Sequence, residues 1–415
     1  MLLCRQVRKL ELSFNRCLAT LESGNIGEDT IMARRYQVMS GDGHIDLNPD
    51  LWRNRVSAKW RDRAPKRVKM PNGSDAVVLD NGKPNTIGIT RSVRVARKDL
   101  ASQVPTFENS AGTGPPEQRL REQDQDGIEA EVLFSQISSV LRQTKDDELY
   151  LELVRAYNEF LAEEYMAAAP ARLIPMGLIP TTGVDDAVRE LEHCAKLGLK
   201  GVKLDKFPSG RGYPLPQDDK FWAAALDLRM PLTNHNTGKM GSGRGEPCLL
   251  YEKEPGPDVH QREPLNYFFR FTNDAMTAAI QMAFAGVWDR FPKLEMYWAE
   301  TMIGWFEYGL WQIDDHYQRY MPMIQENWGL KYLERKPSEY LRDRNYWGFL
   351  HDPVGVQRRH AIGVDKLMWG TDFAHAASDW PHSIKIMEQD FAGVPENEKH
   401  AMLVENCVKY FRLNE

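Results

Sequence analysis

The sequence predicts an α/β fold, a (β/α)8 TIM barrel with loop insertions covering its C-terminal mouth. Three observations predict it: from Tyr36 onward short apolar runs alternate with helical patterns, eight such runs can be read, and no G-x-G-x-x-G follows the first. The alternation is the rhythm of βα units feeding a parallel sheet. The absent glycine fingerprint weakens the doubly wound alternative, which would seat a dinucleotide at that point.

The eight candidate strands are 36–40, 131–136, 173–179, 200–204, 230–234, 294–299, 345–350 and 366–370. Helical stretches at 146–169, 184–197, 218–228, 274–291 and 303–320 carry apolar residues at three-to-four spacing, the mark of an element with one buried face. Two insertions break the rhythm. Within 66–118, the run Val77-Val78-Leu79-Asp80-Asn81-Gly82 ends in an Asn-Gly turn signal, so a small hairpin is expected there. Residues 236–264 are rich in Gly, Pro and charge and follow the fifth strand directly. A loop that long leaving the barrel mouth is read as a lid rather than a linker.

The 415 residues are 42% hydrophobic and 27% charged, which excludes disorder as the general state. A net charge of -6 leaves no basic excess to neutralise a phosphate backbone, so nucleic acid is not an expected partner. No window approaches the ~20 apolar residues of a membrane span. Five cysteines without a C-x-x-C pair indicate neither a disulfide framework nor a thiolate zinc site. A cytoplasmic homo-oligomer is the expectation. Residues 1–31 are basic but interrupted by Glu11 and Glu22, with no apolar core or small-residue cleavage site. They are expected to be a disordered N-terminal extension, transit-like or made from a start codon upstream of Met32, ahead of one barrel domain over 32–415.

The chemistry concentrates at predicted strand ends: Asp42-Gly43-His44 after the first, Asn234-His235-Asn236 after the fifth, Glu300 after the sixth, and Thr371-Asp372-Phe373-Ala374-His375 after the eighth. In a strand, residues two apart share a face, so Asp42 and His44 can grip one ion together. Imidazole with carboxylate suits Zn, Mn or Fe(II), and a carboxylate-heavy set leans toward the harder ions. Any one of these residues alone is more often a cap or a solvated side chain. Their convergence on one barrel mouth is what favours a metal. His193, His360 and His400 lie in helical patterns and read as surface or packing residues.

Taken together, several motifs resemble the amidohydrolase superfamily, and within it the amidohydrolase-2 group that includes aromatic acid decarboxylases related to aminocarboxymuconate semialdehyde decarboxylase. They are Asp42-Gly43-His44 followed by Pro49-Asp50-Leu51-Trp52, Arg172-Leu173-Ile174-Pro175, Gly198-Leu199-Lys200-Gly201-Val202, Pro231-Leu232-Thr233-Asn234-His235, Phe291-Pro292-Lys293-Leu294 and Met368-Trp369-Gly370-Thr371-Asp372-Phe373. The resemblance implies Asp42 and His44 as a first-strand ligand pair, His235 as the fifth-strand ligand, and Asp372 as an eighth-strand ligand that also handles protons. Two departures stand out. Asp-x-His replaces the His-x-His of the zinc-dependent members, and Glu300 stands where many members carry a histidine. Lys203 could face the interior as the carbamylated lysine of other members does, but a buried salt bridge is favoured.

The expected protein is thus a metal-dependent enzyme that hydrolyses, or decarboxylates without oxidation, a small carboxylate-bearing compound. One or two divalent ions (Zn, Mn or Fe) would be held by Asp42, His44, His235 and Asp372 with Glu300. Asp372, Glu300 and His375 are the candidate catalytic groups, and His260 and Arg262 in the lid the candidate substrate contacts. Two rivals remain open. Three carboxylates with three imidazoles are enough for a dinuclear iron or manganese–iron monooxygenase, as some members of this fold are. A non-catalytic subunit of a hetero-oligomer is disfavoured because every expected ligand position holds a competent side chain.

Overall fold

The computed structural model describes residues 36–85, 104–235, 240, 251–253, 265–268, 274–375 and 377–415. The chain divides into two units, Met1–Arg35 and Tyr36–Glu415. The first lies outside the described residues, and the expected extension over 1–31 with it.

All eight predicted strands form. In chain order, with the hairpin strands included, they are β1 (Met39–Ile45), β2 (Lys66–Lys69), β3 (Asp75–Val78), β4 (Ala130–Ser135), β5 (Leu173–Pro175), β6 (Gly177–Leu178), β7 (Val202–Lys203), β8 (Leu232–His235), β9 (Met296–Ala299), β10 (Asn345–Phe349) and β11 (Leu367–Trp369). Parallel pairing runs β1-β4-β5 and β6-β7-β8-β9-β10-β11. The third predicted strand is split at Met176 into β5 and β6, each pairing with a different neighbour, so one run of chain links the two sheets. Across the remaining seam, Gly43 forms a parallel bridge with Phe373. There Thr371 and Asp372 donate their amides to the Asp42 carbonyl at 3.1 and 2.9 Å.

The first strand starts later than its pattern suggests and runs through the glycines to Ile45, so Asp42 and His44 lie within it. Glycines in that run read as a loop, but they serve close packing. A Cβ on Gly41 would lie 3.0 Å from Tyr297 Oη, and one on Gly43 only 2.6 Å from Arg119 Nη2. Within the first predicted insertion β2 and β3 pair antiparallel through a turn at 70–74, ahead of the Asn-Gly signal. At the signal itself the chain returns so that Asn85 pairs with Val77 in one antiparallel bridge, but the left-handed pair is Asp80 and Asn81, with φ of 48° and 58°, and not Asn81 and Gly82.

The helices follow their apolar stripes. Helix Asp147–Phe160 starts where the Asp146 side chain accepts the Leu149 amide, with Asp147 and Glu148 in its first turn. That carboxylate satisfies one orphan amide and complements the positive helix end. The same helix buries Leu149, Leu153, Val154 and Tyr157, and deleting one such leucine side chain costs about 2–5 kcal/mol. Helix Pro116–Asp126 inverts the rule, turning Arg119, Glu122, Gln123 and Asp126 inward. It ends at Gly127, whose φ of 75° is the left-handed cap. No helix among the described residues is long and apolar enough to cross a membrane. Of the predicted lid, only Met240 and residues 251–253 are described.

Candidate metal centre

Strand geometry brings Asp42 and His44 on β1, His235 at the end of β8 and Asp372 just past β11 into one buried cluster, with a ligand atom from each within 4.8 Å of the others. His44 Nε2 lies 3.0 Å from Asp372 Oδ1 and 3.5 Å from Asp42 Oδ1. His235 Nε2 lies 3.3 Å from Asp42 Oδ1. Phe134 on β4 closes one side, its ring 5.1 Å from that of His235. Both Asp42 oxygens, both His44 nitrogens and Asp372 Oδ2 are buried without a hydrogen-bond partner among the described residues. Carboxylates in that state are costly unless a cation compensates them. Two imidazoles and two carboxylates aimed at one point fit a divalent ion, which is the most economical account of the orphaned atoms.

The electrostatics agree with that account. Burial, then the nearby Asp372, pushes the Asp42 carboxyl well above the usual range. Burial pulls His44 well down, and His375 and His235 add to the effect. Burial likewise lowers His235 to about 4, so both rings are neutral and present lone pairs at pH 7.

Glu300 follows β9 with φ of 55°, and its Oε2 is 3.6 Å from His235 Nε2. It stands beside the four donors rather than among them. Burial raises its carboxyl to about 7, against the lowering effect of His235, so near neutrality it is poised between acid and base. His375 lies on the other flank. Its Nδ1 is 2.8 Å from Asp372 Oδ1, and its ring stacks on His44 with centroids 3.6 Å apart. Burial disfavours the charged ring, but the hydrogen bond to Asp372 and the surrounding carboxylates outweigh it and raise its pKa.

The structure thus brings together Asp42, His44, His235, Asp372, Glu300 and His375 as the sequence suggested. His260 and Arg262 lie outside the described residues. Sequence reasoning missed Gln136, whose Nε2 lies 2.8 Å from His375 Nε2. Its signal was available, a polar residue directly following β4. Lys203 makes the expected salt bridge: Nζ lies 3.1 Å from Asp205 Oδ1, and it donates to Ser138 Oγ at 3.0 Å and the Ser135 carbonyl at 3.1 Å. His193, His360 and His400 pair with glutamates away from the cluster.

Known proteins share this architecture. Gamma-resorcylate decarboxylase of Polaromonas sp. (strain JS666 / ATCC BAA-500) is 26% identical over 294 residues, 66% of this chain and 82% of that protein. A solved amidohydrolase from Mycobacterium avium subsp. paratuberculosis K-10 superposes with a TM-score of 0.65 at 16% identity, covering 91% of this chain and 98% of that one. A dihydroxybenzoic acid decarboxylase from Polaromonas sp. JS666, solved with manganese and the inhibitor 2-nitroresorcinol, gives a TM-score of 0.54 at 22% identity over 77% of this chain and 91% of its own. The sequence profile described as Amidohydrolase matches residues 109–413. A match over most of the chain, on a barrel with its polar donors gathered at one mouth, means that this protein belongs to the amidohydrolase family.

Proposed function

We propose that the protein is a metal-dependent carboxy-lyase that removes CO2 without oxidation from a hydroxylated aromatic carboxylate. The observation that carries this is the cluster of Asp42, His44, His235 and Asp372, four buried donors within 4.8 Å of one another. Of the two reactions expected, decarboxylation is favoured over hydrolysis by the dihydroxybenzoate and resorcylate decarboxylases among the similar proteins. Two carboxylates with two imidazoles can hold manganese, the ion held by one of those structures.

A divalent ion bound by the four residues supplies positive charge to a substrate carboxylate or phenolate. The chain's own groups supply the rest. Asp372 Oδ1 and His375 Nδ1 are 2.8 Å apart and hydrogen-bonded beside the cluster. Glu300, which burial keeps partly protonated at neutral pH, is the group to protonate the ring carbon as the C–C bond to the leaving CO2 breaks. It takes the position that a histidine fills in many relatives. Phe134 and the buried walls exclude water, and a homo-oligomer in the cytoplasm is the setting we propose for it.

One observation favours a second reading, a dinuclear iron or manganese–iron monooxygenase. Glu300 and His375 flank the four donors at 3.6 Å from His235 and 2.8 Å from Asp372, which makes three carboxylates and three imidazoles. Metal content of the purified protein, with CO2 release from a panel of hydroxybenzoates, tests both. One manganese or zinc per chain with CO2 release supports the lyase. Two ions including iron, with oxygen uptake and no CO2, would replace it by the oxygenase.

A further inference from the structure

Arg119 reaches the metal centre from behind. It sits on the inward polar face of helix Pro116–Asp126, is 1% exposed, and each of its three guanidinium nitrogens has its own partner. Nε donates to Glu131 Oε2 on β4 at 2.7 Å, Nη1 to the His44 carbonyl at 2.9 Å and Nη2 to the Phe373 carbonyl at 3.2 Å. The guanidinium carbon also lies 4.5 Å from the centroid of the Phe373 ring. Glu131 is held in turn by Gln123 Nε2 at 2.8 Å and Thr371 Oγ1 at 3.4 Å.

The two carbonyls are not arbitrary. One belongs to His44, a donor of the cluster. The other belongs to Phe373, which directly follows the donor Asp372. Asp372 has φ of 52°, a conformation that a non-glycine residue keeps only when its surroundings impose it. These two stretches of chain meet at the seam between β1 and the segment after β11, where in place of a regular ladder they share one bridge, the bond from the His44 amide to the Phe373 carbonyl at 2.5 Å, and the bonds from the Thr371 and Asp372 amides to the Asp42 carbonyl. A planar fork with fixed donor directions can set the spacing of two carbonyls across such a seam, which a flexible ammonium cannot.

We infer that Arg119 is a positioning residue for the metal centre, holding the donors of His44 and Asp372 in register across the barrel seam while Glu131 neutralises and orients it. The inference rests on the metal-binding reading above and adds to it a residue that touches neither ion nor substrate. It also accounts for the glycine inside Asp42-Gly43-His44. A Cβ there would lie 2.6 Å from Arg119 Nη2 and 3.1 Å from Glu131 Oε1, so the strand stays bare to admit the pair.

The rival explanation is that the Arg119–Glu131 pair merely stabilises the barrel. Removing Arg119 alone strands a buried carboxylate, so the informative variant is the charge-neutral Arg119→Met/Glu131→Gln in the full chain. Three readouts are taken: the thermal midpoint, Mn2+ affinity by competition with a chelating dye, and the visible spectrum of the Co2+-loaded protein, which reports donor geometry. Loss of such supporting bonds weakens metal binding about 10–100-fold, and we expect that loss together with an altered Co2+ spectrum. Arg119→Lys, which keeps the charge pair but not both carbonyl bonds, should recover stability without recovering affinity. Wild-type affinity and spectrum in the neutral variant, with only the thermal midpoint lowered, would overturn the positioning role and leave the metal reading standing. Should that variant not fold, Gly43→Ala displaces Arg119 with every charge retained, and an unchanged Mn2+ affinity there overturns the role equally. A wild-type protein that binds neither ion would instead remove the metal reading, and this inference with it.

Discussion

Replacing Glu300 with glutamine should make the metal-free protein more stable at alkaline pH while it disables turnover. Burial raises the Glu300 carboxyl from 4.5 to about 7, so the native state keeps its proton in a pH range where the unfolded chain has released it. Between those values the native state binds more protons, and stability falls as pH rises through the window. A rise from 4.5 to about 7 is worth roughly 3 kcal/mol at about 1.36 kcal/mol per pH unit, fully lost above pH 7. With 21% of the side chain exposed, solvent screening trims this to about 2 kcal/mol. Glutamine keeps the shape and carries no proton to lose. Urea unfolding of chelator-treated wild type and Glu300→Gln at pH 5 and pH 8 reads the effect as the change in the stability difference between the two proteins. The stability gap should move by about 2 kcal/mol in favour of the variant between the two pH values. Turnover of the metal-loaded variant should fall by ~10²-fold or more. A gap that stays constant with pH would show that Glu300 is not a buried, raised carboxyl, and the proton-donor role proposed for it would go with it.

His235→Ala and Asp372→Ala should each lose most of the bound metal, since each removes one of four donors; full occupancy by elemental analysis in both would refute the assignment. Asp352 accepts the amides of Ile303 at 2.6 Å, Gly304 at 2.8 Å and Gly355 at 2.8 Å, and so anchors the chain just beyond Glu300. Asp352→Ala leaves buried amides unpaired at a cost of about 2–3 kcal/mol, to be read from denaturant midpoints, with a lowered kcat accompanying it. Phe134→Ala opens a void beside His44 and His235 and should cost about 3–5 kcal/mol, whereas Phe134→Leu should cost clearly less. Chelation should lower the unfolding temperature of the wild type, because an ion at ~100 times its dissociation constant adds about 2.7 kcal/mol to stability; an unchanged midpoint would argue against a resident ion.

Apolar periodicity was enough to place the strands and major helices, because their cores are built of Leu, Val, Ile and aromatic residues whose burial needs no particular partner. The six polar residues of the mouth were legible for a related reason: they follow or end apolar runs whose direction in a barrel is fixed. Helix Pro116–Asp126 defeated that logic. Its buried stripe of Arg119, Glu122, Gln123 and Asp126 has helical spacing, but in residues that normally face water. Such a face is stable only through partners distant in sequence, Glu131, the His44 carbonyl and the Phe373 carbonyl, and no local pattern announces them. The extent of β1 was obscured by its glycines, which look like turn residues until Tyr297 and Arg119 are seen packed against them. Gln136 was passed over because an amide carries no titration or ligation signal of its own; what singles it out is the His375 ring opposite.

The seam between β1 and the end of β11 has a bearing on how the protein is made. Thr371 hydrogen-bonds to Asp42, 329 positions earlier in the chain, and Asp372, one residue further on, completes the donor set that Asp42 begins. Synthesis proceeds from the N-terminus at about 5–20 residues per second, so the first two donors leave the ribosome many seconds before the last. Until then β1 has an open edge and the donor set lacks its fourth member. The complete donor set is therefore available only in the finished barrel, and a nascent chain arrested before Asp372 should bind metal more weakly than the full chain, however much of its sheet has already formed.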